Sequence, residues 1–415
     1  FFSGHVYPKG AQTAHQLRRL LGDSLFWAGM HRFLVDNEFK PVTTRDFAIA
    51  FEKVAHRDLD WFFDQWCYGI GYPKVDVTRH WDPSSHTLAV TVRETQPIDS
   101  IHPFFRFPTT IRIVTADSVV RQDIMVTRPE QTFNIVLPGD PLTFRFDEGG
   151  WLLGTVHTDQ TPAELAEMAR HDLDFAARNW ALHALEGSTD SSAVAARQFI
   201  VLNEHEPSLR ALALSQLTDD SKLTHQVVMS ALADQASDVR AGALRALAQI
   251  DSATARREAL RMYRNDPSTY VHAVALTYYA RLAGPAADSM LVDATAPGPL
   301  MVRQSAVAEL GKRKGAAVAD ALAKLTDPTE PRTLRSQAIA ALARVDNARA
   351  AQVATQRLGD YDPLFAVQAV RTLARTGGAN GKATLRKALK SETRVTVKAA
   401  ISQALAPKTP EQQGH

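Results

Sequence analysis

The chain has 415 residues, which at about 150 residues per domain predicts two or three domains, and its 45% hydrophobic and 22% charged residues exclude a disordered or fibrous protein. The 47 Lys and Arg against 45 Asp and Glu leave a net charge of +2, so no overall field favours nucleic acid or an acidic membrane surface. A single cysteine, Cys67, excludes an intrachain disulfide and any thiolate-rich zinc or iron–sulfur site.

No stretch approaches the roughly 18 consecutive apolar residues that suggest a membrane span. The sequence opens without an initiator Met and without the basic and apolar regions of a signal peptide. We therefore expect a soluble segment of a longer polypeptide. The compartment stays open between the cytoplasm, the periplasm and the outside of the cell.

Residues 1–73 are predicted to be helical and rich in aromatic side chains. Leucines at helical spacing precede Gly22, which suits the end of a first helix. Asp23 and Thr44 are the predicted caps of two further helices. The segment 59–66, LDWFFDQW, places four aromatic residues within six positions and is predicted to anchor a hydrophobic core.

From residue 74 the apolar period changes from 3.6 to 2, and turn-forming segments such as Asp82–Ser85 and Pro138–Asp140 separate the alternating stretches. About seven short strands at roughly ten-residue spacing predict an antiparallel β-sandwich over residues 74–153. The alternating apolar positions are Val75, Val77, Leu88, Val90, Val92, Ile111, Ile113, Val119, Ile124, Val126, Phe133, Ile135, Leu137, Leu142, Phe144 and Phe146.

Residues 155–406 are helical and repetitive. One position recurs every 30 to 32 residues, and we call its occupants the anchors: Arg178, Arg210, Arg240, His272, Arg303, Arg335, Ala366 and Lys398. Three residues after each anchor stands a small or aliphatic residue, and seven after it a large one. This pattern predicts a solenoid of about eight helix pairs of about 31 residues each, which resembles HEAT-like repeats. Residues 407–415 are predicted to form a disordered tail.

The basic anchors have two possible roles. They can form a binding ladder for a protein partner on the solenoid, or each can lie near a helix start and pair with an acidic residue of a neighbouring repeat. The second arrangement is the one we expect.

Read from residue types alone, the chain holds no complete catalytic constellation. No two of its fourteen histidines are three, four or five residues apart, which excludes a His-Glu-x-x-His helix. A phosphate-binding Gly-rich loop and a Gly-x-Ser-x-Gly elbow are also missing from the sequence.

A string of short motifs in the first 73 residues resembles the M1 family of zinc aminopeptidases. The string consists of Val6-Tyr7-Pro8-Lys9-Gly10-Ala11, Leu17-Arg18, Leu21-Gly22-Asp23, Phe26-Trp27, Thr44, Asp46-Phe47, Trp61-Phe62-Phe63-Asp64-Gln65-Trp66 and Gly71-Tyr72-Pro73. The resemblance begins late in that family's catalytic domain, after its zinc helix. It implies that residues 1–73 form the helical end of a thermolysin-like catalytic domain, followed by the family's β-sandwich and its C-terminal helical repeats.

The resemblance also implies a catalytic role for Tyr7. In the family, the tyrosine of a Tyr-x-x-Gly motif points its hydroxyl at the oxyanion of the tetrahedral intermediate, and Gly10 closes that motif here. A neutral phenol donor of this kind is worth about 3 kcal/mol. The family's zinc ligands, general-base glutamate and amine-binding acidic motif should all precede Phe1, so the chain itself is predicted to hold no metal ligands.

Two functions follow as expectations. The first is the C-terminal part of a zinc aminopeptidase that removes N-terminal residues from peptides, with the solenoid as a lid; the 415-residue chain alone should then be inactive. The alternative is a scaffold of M1-like architecture that has lost its metal and binds proteins through its helical repeats.

Overall fold

The structure, a computed structural model, describes residues 6–99 and 104–406. The predicted tail, residues 407–415, lies outside the described residues. The chain forms two compact units, residues 1–196 and 197–415. Helices, β-strands and helical repeats follow one another in the predicted order, whereas the domain boundaries predicted at residues 73 and 153 stay predictions. Within the described ranges, no helix is both long and apolar enough to cross a bilayer.

The first unit opens with a small helical region whose helix ends differ in detail from those predicted. Its elements are α1 (Val6–Leu21), α2 (Asp23–Asp36), α3 (Thr44–Ala55), α4 (Asp60–Phe63) and a π-helical turn (Asp64–Tyr68). Gly22 separates α1 from α2 at φ 78°, a left-handed conformation that favours glycine. Asp23 does not cap α2, because the Arg18 guanidinium occupies its carboxylate at 2.7 Å. The cap of α3 is Thr43 and not Thr44: its hydroxyl accepts the Asp46 N–H while the Asp46 carboxylate accepts the Thr43 N–H.

The aromatic segment 59–66 anchors a core, as predicted. Phe62, Phe63 and Trp66 are buried. The α2 and α3 helices approach closely because α2 carries Gly29 at their contact: a Cβ there would lie 2.5 Å from the Phe51 ring. This core is continuous with the hydrophobic interior of the strands that follow.

The strands form two sheets. Their bounds are β1 (Lys74–Asp82), β2 (Thr87–Glu94), β3 (Phe107–Val114), β4 (Val119–Val126), β5 (Glu130–Val136), β6 (Thr143–Phe146) and β7 (Thr155–Thr158). The first sheet has the order β5-β2-β1-β7 and the second the order β4-β3-β6. Alternate side chains of β2 and of the first half of β1 are buried, for example Val75 and Val77 of β1. In β3, by contrast, five consecutive residues, 109–113, are buried.

The sheets are antiparallel except at one edge. The β7 strand pairs with β1 in parallel, with Val75 opposite Val156. Residues 147–154 carry the chain from the end of β6 back to the start of β1, where the Thr155 N–H donates to the Pro73 carbonyl at 3.1 Å. The strands within residues 74–153, the segment predicted to form an antiparallel sandwich, pair with one another only in the antiparallel sense. Residues 155–158, which the sequence predicts to belong to the helical repeats, form a parallel edge strand instead, because the returning chain enters the sheet from the same end as β1.

Helices fill the rest of the chain. Their bounds are α5 (Pro162–His171), α6 (Phe175–Ala184), α7 (Ser191–Asn203), α8 (Pro207–Ser215), α9 (Lys222–Ala231), α10 (Ser237–Ile250), α11 (Ser252–Asn265), α12 (Thr269–Ala283), α13 (Asp288–Asp293), α14 (Leu300–Leu310), α15 (Ala316–Lys324), α16 (Arg332–Val345), α17 (Asn347–Gln356), α18 (Pro363–Thr376), α19 (Gly378–Ser391) and α20 (Val395–Leu405). The first six residues of α7 and the helices before it belong to the first unit. A 3₁₀ turn, Gly284–Ala287, precedes α13.

The predicted repeat is confirmed residue by residue. Each of the eight anchors is the fourth residue of an even-numbered helix, from α6 to α20. All eight residues three positions after an anchor are buried. Of the large residues seven positions after an anchor, only Tyr279 and Leu405 are half-buried and the others are buried. The small residue permits close packing between helices, and the large one fills the space a turn later.

The anchor arginines Arg210, Arg240, Arg303 and Arg335 pair with acidic residues of the following repeat, as expected. Arg240 Nη1 donates to the carbonyls of Asp234 and Gln235 in the loop before its own helix, at 2.8 and 2.9 Å. Its other nitrogens bind both carboxylate oxygens of Asp266 at 2.8 and 2.7 Å. Arg210 bridges its own loop to Asp234 in the same way. The guanidinium satisfies loop carbonyls and joins consecutive repeats with charge-assisted hydrogen bonds.

Where the anchor is Ala366, another arginine takes over. Arg394, at the start of the next repeat, donates to the carbonyls of Leu358 and Asp360 in the loop before Ala366. It also forms an ion pair with Glu392 at 2.7 Å. The backbone groups of this loop are therefore satisfied from the following repeat instead of from their own helix.

Asp251 gives the solenoid a pH-dependent element of stability. It caps α11 by accepting the Thr254 N–H at 3.0 Å, and hydrogen bonds from Thr254, with a smaller contribution from His225, lower the pKa of Asp251 from 3.8 to about 2. The pKa of Asp251 is lower in the folded state than in the unfolded state. The stabilisation is therefore complete at pH values above 3.8, the ordinary pKa, and is lost as the pH falls towards 2. The side chain is 32% exposed, so screening limits the effect to about 1 kcal/mol.

We expect Asp251→Asn, which keeps the cap but removes the charge, to unfold more easily than the parent protein at pH 7 and to approach it at pH 3. Urea unfolding of both proteins at the two pH values measures the difference. A difference that stays constant with pH would contradict this role of the carboxylate.

Candidate functional site

Tyr7 lies in the first turn of α1, where its side chain is 73% exposed. Within the part of the chain that the structure describes, its hydroxyl forms no hydrogen bond. The phenol is therefore available as a donor to a ligand. Gly10, which closes the Tyr-x-x-Gly motif, follows one turn later on the same side of the helix.

One face of α1 is fixed to the strands and loops of the same unit. Gln12 Nε2 donates to the carbonyl oxygens of Gly150 and Trp151 at 3.2 and 3.0 Å. His15 stacks on the Trp151 ring, with 4.1 Å between ring centroids and 14° between planes. Burial, helped by the charge of Arg18, lowers the pKa of His15, so the stacked ring is neutral at pH 7.

A third contact lies one turn further along this face. Arg19 Nη2 donates to the Thr110 hydroxyl at 2.5 Å and also forms an ion pair with Asp123. Contacts at residues 12, 15 and 19 follow the helical period and hold one side of α1. The helix that carries Tyr7 is thus a rigid support, which is what a positioned hydrogen-bond donor requires.

The loop that receives α1 is organised by a buried carboxylate. Asp147, at φ 59°, accepts the N–H groups of Trp151 and Leu152 at 3.2 and 3.0 Å and the Thr109 hydroxyl at 3.0 Å. Burial raises the pKa of Asp147, against the opposing effect of these hydrogen bonds. The three bonds define the position of Trp151 and, through it, that of His15.

An apolar groove begins one turn beyond Tyr7. It has a volume of about 510 Å³ and is formed by α1, α3, α4 and the π-helical turn. Gly10 and Ala14 line it from α1, and Phe47, Phe63 and Trp66 line it from the other side. Small residues on α1 therefore leave an open apolar surface next to the tyrosine.

The described residues do not provide a zinc site. Among the described residues, one group of three possible metal ligands has its ligand atoms within 4.8 Å of one another, and it consists of Glu52, Asp58 and Asp60. These carboxylates already have partners: Glu52 accepts the Leu59 N–H at 3.1 Å, Asp58 accepts the Asp60 N–H at 2.7 Å, and Asp60 pairs with Arg45. Zinc in proteins prefers histidine and cysteine ligands in a tetrahedral arrangement, so this cluster does not fit it.

The sequence predicted Tyr7 and missed the residues that support it. Gln12, His15 and Trp151 carry no motif that marks them, because their roles depend on which loop of the strand region meets α1. Residues 12, 15 and 19 do share one helical face, but α1 also carries polar side chains on its other faces, such as Lys9 and Arg18, so this row gives no distinct signal in the sequence.

Comparisons with known proteins bear on both ends of the chain. Residues 1–66 match the Peptidase family M1 domain, and residues 328–406 match HEAT repeats. Aminopeptidase N of Haemophilus influenzae is 33% identical over 97 residues, which is 23% of this chain and 11% of that protein. Aminopeptidase N of Lactococcus lactis is 35% identical over 77 residues, 19% of this chain and 9% of that protein. The matched segments thus span about a tenth of these curated relatives.

A solved structure extends the likeness to almost the whole chain. Legionella pneumophila aminopeptidase A in complex with aspartic acid matches with a TM-score of 0.63 over 97% of this chain and 57% of that one, at 12% identity. At this identity the match concerns the fold alone, and it agrees with the predicted order of helices, sandwich and solenoid. The recognition of the M1 peptidase family at the front of the chain is confirmed, as is that of HEAT repeats in its last part.

Proposed function

We propose that this chain is the C-terminal portion of an M1-like zinc aminopeptidase, which hydrolyses N-terminal residues from peptides. The observation that supports the proposal most directly is the M1 family match over residues 1–66, which includes the Tyr7-to-Gly10 motif. Relatives that match part of the chain are named aminopeptidases.

In this proposal Tyr7 is the catalytic residue that the chain contributes. Its hydroxyl donates a hydrogen bond to the oxyanion that forms when water attacks the peptide carbonyl. Such a bond stabilises charge that exists only in the transition state, so it accelerates the reaction without tightening substrate binding. The exposed hydroxyl and the rigid support of α1 by Gln12, His15 and Arg19 suit this role.

The zinc ion that the family implies would polarise the peptide carbonyl and lower the pKa of a water molecule. Since the described residues do not fit zinc, we place its ligands, together with the general-base glutamate, elsewhere in the intact polypeptide. What this chain supplies to the reaction is the phenol and the helix that positions it.

Metal analysis of the purified intact protein tests the proposal. We expect one zinc ion per polypeptide, and a His-Glu-x-x-His sequence followed by a ligand glutamate in the coding region before Phe1. A protein that contains neither would contradict the peptidase. The scaffold function, in which the HEAT repeats bind a protein partner, would then be the better account.

A further inference from the structure

A small groove crosses three even-numbered helices of the solenoid, and we call it the tyrosine groove. It has a volume of about 320 Å³ and lies between α10, α12 and α14. Its lining includes Arg245 of α10, Tyr270, Val274 and Tyr278 of α12, and Met301 of α14. The groove therefore combines one arginine, two phenol rings and an apolar surface.

The other repeats show that the solenoid does not need these two rings. Tyr270 stands two residues before the anchor His272, and Tyr278 stands six residues after it. At these two positions the other seven repeats carry no aromatic residue, and alanine is the commonest residue at the second. The two tyrosines are therefore a local feature of one repeat and not part of the packing that all repeats share.

Arg245 brings a positive charge to one end of the tyrosine groove. Its side chain is half-buried, and Nη2 donates to the Tyr270 hydroxyl at 2.6 Å. Among the described residues, Arg245 forms no ion pair, and none of those that line the groove is acidic. A guanidinium that has lost part of its hydration gains most from an anion, because charge-assisted hydrogen bonds are the strong ones.

Arg281, the other arginine of the groove, already has a partner. Its side chain is exposed, and Nε donates to the buried Glu309 carboxylate at 3.1 Å. Its guanidinium carbon lies 5.7 Å from the centroid of the Tyr278 ring. Arg281 is thus neutralised and supports the Tyr278 ring, which leaves Arg245 as the charge available to a ligand.

The Tyr270 hydroxyl adds a second donor beside Arg245. Its oxygen accepts the hydrogen bond from Arg245, and in the part of the chain that the structure describes its own proton has no acceptor. A phenol can accept and donate at the same time, whereas a guanidinium can only donate. The natural partner of these two groups is a negatively charged acceptor such as a carboxylate.

The rest of the groove selects what carries the carboxylate. Val274 and Tyr278 follow Tyr270 along one face of α12, each about 6 Å further along the helix axis. An apolar side chain next to the carboxylate would contact this surface and Met301, whereas an inorganic anion would leave it exposed to water. The volume lies at the lower end of the range of small-molecule sites, about 300–1,000 Å³, so the groove suits a small organic group.

We propose that the tyrosine groove binds a carboxylate that is attached to an apolar side chain, as in a free apolar amino acid or at the C-terminal end of a peptide. Arg245 and the Tyr270 hydroxyl donate to the carboxylate, and the apolar side chain packs on Val274 and Met301. The proposal stands independently of the peptidase activity, because it rests on residues of the repeats alone.

The test uses three short peptides of the same sequence except at the last position, each with a fluorescein label that blocks its N-terminus against an aminopeptidase. The first ends in leucine with a free carboxylate, the second is its C-terminal amide, and the third ends in glycine with a free carboxylate. Fluorescence anisotropy with the intact protein should show that the leucine acid binds about tenfold more tightly than the amide. It should also bind about fivefold more tightly than the glycine acid.

Competition separates the two sources of the carboxylate. If N-acetyl-leucine displaces the labelled leucine acid as well as the unlabelled peptide does, the groove takes free carboxylates. If only the unlabelled peptide displaces it, the groove takes the end of a peptide. N-acetyl-leucinamide should not displace it in either case.

Variants locate the site. Arg245→Gln should weaken binding of the leucine acid about tenfold and leave that of the amide unchanged, and Tyr270→Phe should weaken the acid about threefold. Arg371→Gln is the matched control: Arg371 also stands five residues after an anchor, but on α18 and exposed, so binding should not change. If Arg245→Gln lowers the unfolding temperature, Tyr270→Phe and the amide peptide decide, since neither removes the charge of Arg245.

Three results would overturn the proposal. Equal binding of the leucine acid and its amide, or binding of neither, would mean that no carboxylate is recognised. Equal weakening by Arg371→Gln and Arg245→Gln would mean that binding follows net charge. Unchanged binding in both Arg245→Gln and Tyr270→Phe would place the peptide elsewhere on the protein.

Discussion

Tyr7→Phe in the intact protein is expected to lower kcat for an aminoacyl anilide by about 10²–10³-fold, with KM and zinc content unchanged. The substitution removes one oxygen that is exposed at the start of α1 and keeps the ring. Because the hydroxyl is proposed to bind charge that exists only in the transition state, the loss should fall on kcat. Steady-state kinetics and metal analysis of the same preparation measure both effects.

Two matched controls separate this role from a general effect of removing a phenol. Tyr68 and Tyr72 are exposed tyrosines of the same unit, and Tyr68→Phe and Tyr72→Phe should leave kcat within about twofold, as expected for surface positions. A Tyr7→Phe enzyme with full kcat would remove Tyr7 from the mechanism. Loss of zinc in the variant would instead give Tyr7 a structural role.

Arg335→Met should lower the free energy of unfolding of the helical repeats by about 3–5 kcal/mol. The Arg335 side chain is fully buried, forms an ion pair with Asp360 and stacks on Phe365, with 3.9 Å from the guanidinium carbon to the ring centroid. Its removal leaves the Asp360 carboxylate, whose side chain is 1% exposed, without its counter-charge. Urea unfolding followed by circular dichroism measures the loss, and hydrogen exchange should place it in α16 and α18.

Two further variants separate the loss of the buried pair from the loss of an arginine. Arg332→Met removes a 55% exposed arginine of the same helix, 3.7 Å from Asp362, and should cost less than about 1 kcal/mol. Adding Asp360→Leu to Arg335→Met removes the unpaired charge and should restore part of the stability. Equal losses of stability in Arg335→Met and Arg332→Met would show that the buried ion pair between Arg335 and Asp360 does not hold the repeats together.

The repeat was readable from the sequence because its constraint is local and recurs. Six of the eight anchors bind a carbonyl oxygen of the loop before their own helix, and the residue three positions after the anchor is buried in all eight repeats. Eight copies of one steric requirement leave a pattern that no single copy would show. At Ala366 the anchor is not basic, and Arg394 of the next repeat binds the loop carbonyls in its place. This replacement breaks the pattern and could be recognised only in the structure.

The strand region was predictable in its alternation but not in its pairing. Side-chain period gives the strands, whereas the partner of each strand depends on where the chain returns. The course of residues 147–154 decides how Thr155–Thr158 pairs with β1. Nothing in the sequence of Thr155–Thr158 itself indicates that the pairing is parallel. In the same way, the choice of Thr43 over Thr44 as a cap is a shift of one residue, within the usual uncertainty of helix ends.

The candidate site was predictable only in part, because a catalytic hydroxyl is defined by what faces it. The family resemblance singled out Tyr7, and the structure adds its exposure and the fixed helix beneath it.

Zinc removal and return in the intact protein tests the central claim most directly. We expect turnover of aminoacyl anilides to disappear when a chelator removes the metal and to recover when one equivalent of zinc is added back. Turnover that persists in metal-free protein, or a protein that binds one zinc ion and hydrolyses none of a panel of aminoacyl anilides, would contradict it.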